Sequence, residues 1–118
     1  MPLDMVSPNC RDLVLEWKEP VETPAEEVRL RPFLEREARS RRQTVDQYLA
    51  DFARQVLACP PPRRERDRLI AWGSVLRMDS AEKRQVARAL RRAGLRDGRV
   101  LRAALAALVL RRSSPGAA

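Results

Sequence analysis

The chain has no histidine. That removes the commonest general base and the Ser-His and Cys-His pairs of nucleophilic catalysis. Cysteine is almost as scarce. Cys10 and Cys59 are the only two, too few to build a tetrahedral zinc site without histidine. They are read as reduced thiols, with a disulfide as the alternative. The four glycines, Gly73, Gly94, Gly98 and Gly116, form no phosphate-cradling loop. Glu35 and Glu37 diverge on a helix, and Asp46 and Asp51 do not converge either, so no carboxylate pair has metal-loop spacing. These gaps argue against an enzyme, with no metal and no cofactor expected. No run approaches the ~18 consecutive apolar residues of a membrane span. The opening MPLDMVSPNCRDLVLEW lacks a basic region followed by an apolar core, so no secretory leader is expected. An intracellular location, cytoplasm or nucleoid, is the expectation.

What is abundant is arginine. Of 24 basic residues only Lys18 and Lys83 are lysine. An Arg/Ala/Pro bias of this kind also follows from a GC-rich genome. The charge is unevenly spread. Residues 1–62 hold 9 basic and 11 acidic side chains, a net of −2, while residues 63–118 hold 15 and 5, a net of +10. Such asymmetry points to a polyanion partner for the second half, most simply nucleic acid. At 118 residues, 44 % hydrophobic and 34 % charged, the chain suits one small soluble domain. The expected fold is mainly α, with about five helices and one or two short N-terminal strands.

Prolines at 2, 8, 20 and 24 forbid a long helix in residues 1–26, read as an extended arm and linker. Within it Leu13, Leu15 and Trp17 alternate with polar or outward positions, giving a short strand with one apolar face. Residues 27–59 read as strand, helix, helix. Val28 and Leu30 alternate with Arg29 and Arg31, and Pro32 suits a strand-to-helix junction. A short helix then carries Phe33, Leu34 and Ala38. The segment TVDQYLADFARQVL follows, with Val45, Tyr48, Leu49, Phe52, Ala53, Val56 and Leu57 at helical spacing. Thr44 and Gln47 form a capping box, and Pro60, Pro61 and Pro62 end the helix.

This order resembles the ribbon-helix-helix family of DNA-binding proteins, over residues 27–57. The first helix is about a turn shorter than the family's, and Arg42 and Gln43 occupy the turn where glycine is usual. The resemblance implies a dimer whose paired strands enter the major groove. Arg29 and Arg31 would then read bases, while Thr44 and Val45 would hold a phosphate at the second helix's N-terminus.

Residues 60–112 read as a basic helical segment closing in a helical hairpin. A helix from about Arg63 carries Leu69, Ile70, Trp72, Gly73 and Leu76 as buried positions. Asp79 and Glu82 spell a second capping box, opening a helix that ends before Gly94 as its C′ residue. The last helix, Arg99 to about Arg112, shows a stripe of Val100, Leu101, Ala104, Leu105, Leu108 and Val109. Residues 113–118 are read as a disordered tail.

Between Lys83 and Arg102 the only acid is Asp97, among Lys83, Arg84, Arg88, Arg91, Arg92, Arg96, Arg99 and Arg102. This run is the best candidate nucleic-acid surface. The leading expectation is a non-catalytic nucleic-acid-binding protein, a small DNA-binding regulator before an RNA binder, working as a homodimer. The alternative is a helical subunit of a larger assembly, docking through Leu101, Leu105 and Leu108 and the arm residues Leu13, Leu15 and Trp17. Burial of that helix and arm within one chain would favour the free-standing binder.

Overall fold

A computed structural model describes Trp17 and residues 23–113. Five helices follow in order: α1 Arg31–Ser40, α2 Val45–Ala58, α3 Arg63–Ser74, α4 Ser80–Arg92 and α5 Gly98–Ser113. The mainly helical expectation holds. No strand forms among the described residues. Val28 makes a single parallel bridge to Met78, its N–H donating to the Arg77 carbonyl at 2.7 Å. The expected strand at Leu13–Trp17 lies outside the described residues except for Trp17.

The helix ends explain the boundaries. Thr44 Oγ1 accepts from the Gln47 N–H (3.1 Å), and Gln47 Oε1 accepts from the Thr44 N–H (2.8 Å), completing the expected capping box of α2. At the end of α4, Gly94 adopts φ +110°, donating to the Arg91 carbonyl while Leu95 donates to that of Leu90. This pair of bonds is a Schellman motif, and the buried Leu95 supplies its apolar contact. The same motif ends α1, where Arg42 donates to Arg39 and Gln43 to Ala38. Here Arg42 occupies the left-handed position, at φ 56°. A side chain there is strained by about 1–2 kcal/mol relative to glycine. Arg42→Gly is therefore expected to raise stability by about 0.5 kcal/mol or more once glycine's greater unfolded-state freedom is deducted. Thermal denaturation of the two proteins tests this, and a loss of stability would refute it.

The second capping box forms only in part. Asp79 accepts from the Ala81 N–H at the start of α4. Glu82 instead crosses to α1, accepting from the N–H groups of Leu30 (2.6 Å) and Arg31 (3.3 Å). The reason lies in α1 itself, whose N-cap residue is leucine and has no side-chain acceptor. Glu82 closes that helix from 52 residues away. Charge-assisted bonds to partly buried donors contribute about 1.5–3 kcal/mol, so Glu82→Ala should destabilise the fold by about that amount. Glu82→Gln, which keeps an acceptor, should lose less. Urea denaturation of both variants separates the effects.

The core is built around α5. Leu101 and every residue from Ala103 to Val109 are buried, so the expected stripe is in fact burial on all sides, as an apolar helix without a polar face requires. α5 packs most extensively on α3 and also on α4, while α2 packs on α1 and α4. Alanine and glycine permit the close crossing: a Cβ at Gly73 would lie 3.4 Å from that of Ala106. Arg111 joins α5 to α2, donating to the Tyr48 hydroxyl (2.9 Å) with its guanidinium 5.0 Å from the Phe52 ring centre. Trp17 is buried in the same core.

Two expectations need correction. Leu57, placed on the buried face of α2, is 49 % exposed. It lies over the Gly94 turn, where the glycine has no side chain to cover it. Cys59 is disulfide-bonded and no free cysteine is present among the described residues, which overturns the reduced-thiol reading. Cys10 is the only other cysteine in the sequence and lies outside the described residues. Among the described residues no helix is long and apolar enough to cross a membrane.

Candidate nucleic-acid interface

Helix α4 buries Val86, Ala89 and Leu90 against the core. At 3.6 residues per turn this turns Arg84, Arg88, Arg91 and Arg92 onto the opposite arc, where all four are exposed. Among the described residues none of them makes an ion pair; the ion pairs found there are Arg29–Glu27, Arg41–Glu37, Arg54–Asp51 and Arg66–Asp67. Like charges four apart, Arg84 with Arg88 and Arg88 with Arg92, each oppose the helix by about 0.2–0.5 kcal/mol. The two arginines of the last turn, Arg91 and Arg92, recover part of this from the helix dipole.

The single acid in the run does not relieve the repulsion. The Asp97 carboxylate accepts from the N–H groups of Arg99 (2.9 Å) and Val100 (3.2 Å), capping α5. Arg96 and Arg99 are exposed beside that cap and make no ion pair among the described residues.

The eight basic residues do not share one face. Lys83 and Arg102 turn away from the arc and line a separate groove with Ile70, Leu76, Met78 and Leu105. In their place the arc gains Arg31, whose Nη2 donates to Gln85 Oε1 at 3.5 Å. Arg31, Arg88 and Arg92 then border a cleft of 390 Å³ between α1, α2 and α4, floored by Leu34, Val45, Leu49 and Val86. Its wall also carries Glu35, Asp46 and Glu82, so the cleft itself is balanced in charge while the outer arc is not.

Of the two arginines assigned to base reading, Arg31 joins this surface. Arg29 is exposed and paired with Glu27 at 3.3 Å. Thr44 is also exposed, but the capping box engages both its hydroxyl and its N–H. Among the residues assigned to a partner interface, Leu101, Leu105 and Leu108 are buried in the chain's own core, as is Trp17. Leu13 and Leu15 lie outside the described residues. Gln85 and Asp46 could not be read as members of the site from the sequence. They come together with Arg31 only through packing of three helices, and their spacing along the chain carries no pattern. Comparisons with protein-family models, with curated proteins and with solved structures find no match.

Proposed function

We propose that the protein binds nucleic acid without catalysis, as a small DNA-binding regulator or accessory factor. Arg84, Arg88, Arg91 and Arg92 hold phosphates, and Arg31 at the edge of the arc is the side chain best positioned to reach a base. The observation that carries this reading is the exposed arc of four arginines with no ion pair among the described residues. Such a face repels itself, and a polyanion relieves that repulsion. Burial of Leu101, Leu105 and Leu108 supports a free-standing binder over an assembly subunit that docks through α5.

The test is binding to duplex DNA, single-stranded DNA and RNA across a salt series, with molecular mass measured in parallel. Each phosphate contact on duplex DNA contributes about −0.9 to the slope of log affinity against log salt. The triple variant Arg88→Glu, Arg91→Glu, Arg92→Glu should flatten that slope by about 3 and weaken binding at least about tenfold. Its denaturation midpoint should change little, because the three side chains are exposed. A dimer preferring duplex would support the ribbon arrangement implied by the family resemblance. No binding to any of the three at low salt would sink the proposal.

A further inference from the structure

The two cations that leave the arc have a site of their own. On α3, Ile70, Gly73 and Ser74 stand at i, i+3 and i+4, and on α5 Arg102, Leu105 and Ala106 repeat the spacing. Each set therefore lies on one helix face. The two faces bound a groove of 320 Å³, with Leu76, Met78 and Lys83 completing its wall. Gly73 and Ala106 face each other there: a Cβ at residue 73 would lie 3.4 Å from that of Ala106.

Its chemistry is one-sided. The floor is apolar, and the Ser74 hydroxyl is turned back onto the Ala71 carbonyl of its own helix at 2.7 Å. Among the described residues no acid lines the groove. Lys83 and Arg102 are exposed at its rim and make no ion pair among the described residues. The contrast with the cleft beside α4 is decisive, since there three acids balance three arginines. A groove of this size falls at the small end of ligand sites, which take an apolar body and fix it with a few polar groups. An ammonium and a guanidinium are suited to a carboxylate, the guanidinium in bidentate fashion.

We propose that the groove between α3 and α5 binds a free medium-chain monocarboxylate, its acyl chain along Ile70, Leu76, Met78 and Leu105 and its carboxylate between Lys83 and Arg102. The probes are decanoate, decanol and decyltrimethylammonium, followed by backbone amide chemical shifts of the full chain. Decanoate should give saturable shifts confined to residues 70–78, 83 and 102–106. Decanol should bind about tenfold or more weakly, and decyltrimethylammonium should give no saturable shift there. Lys83→Gln with Arg102→Gln should weaken decanoate about tenfold or more while leaving decanol unchanged, because only the head group loses its partners. Both side chains are exposed, so the variant is expected to keep the native spectrum elsewhere. Equal binding of decanoate and decanol, unchanged decanoate affinity in the double variant, or no saturable shift with decanoate would each overturn the proposal.

Discussion

Trp17→Ala should destabilise the protein by about 3–5 kcal/mol, the range for truncating a buried tryptophan or phenylalanine to alanine. Trp17 is 1 % exposed and heads the fully buried side chains by volume. A loss of that size is a large fraction of the ~5–15 kcal/mol that holds a small domain together. The effect is expected to be mainly cavity and lost apolar burial. Among the described residues the buried Nε1 has no partner, and an unsatisfied buried donor costs about 1–3 kcal/mol. Trp17→Phe removes that donor while keeping a ring, so it should cost far less than alanine. Urea denaturation of the two variants measures both numbers. Equal losses would show that the N–H, not the volume, matters at this position, and a negligible loss for alanine would remove Trp17 from the core.

Cys59→Ser should cost about 2–5 kcal/mol, the range for removing a native disulfide from a small domain. Cys59 caps the end of α2 and is buried, donating its N–H to the Gln55 carbonyl at 2.9 Å. Serine keeps that backbone bond, so the loss would report the covalent link. Denaturation with and without reductant gives the control. The native protein should lose stability in reductant and the Cys59→Ser variant should not. If reductant leaves the native midpoint unchanged, the bond contributes nothing to stability. The fold is thus expected to be more stable in oxidising surroundings than in reducing ones.

Features carried by local chemistry were legible in the sequence. The α2 boundaries follow from Thr44, Gln47 and the prolines, and the end of α4 from Gly94, because caps act over three or four residues. The arginines of α4 could likewise be placed on an exposed face from periodicity alone. What failed depends on contacts far apart along the chain. Glu82 has the spacing of a capping box, yet α1 needs its carboxylate more than α4 does, and only the tertiary packing of α1 against α4 reveals that. The same approach puts Arg31 beside Gln85, while the packing of α3 on α5 sends Lys83 and Arg102 into another groove. The disulfide stood only as the alternative to reduced thiols because two isolated cysteines carry no pairing signal. Val28 and Leu30 alternate as a strand would, but a single bridge to Met78 satisfies that pattern.

The alanines of α5 have one more consequence. Most protein cores are sensitive to losing atoms. At Ala103, Ala104, Ala106 and Ala107 there is almost nothing to lose, and ordering these side chains on folding carries no rotamer entropy. The helix contributes by its small side chains, so its tolerance is inverted: added methylenes at the fully buried Ala103, Ala104 and Ala107 are the damaging change. For variation over generations the centre of this protein therefore acts as a ratchet. Residues at Ala103, Ala104 and Ala107 can exchange among the smallest types, while any step upward in volume must be met by a simultaneous step downward in the elements packed against them.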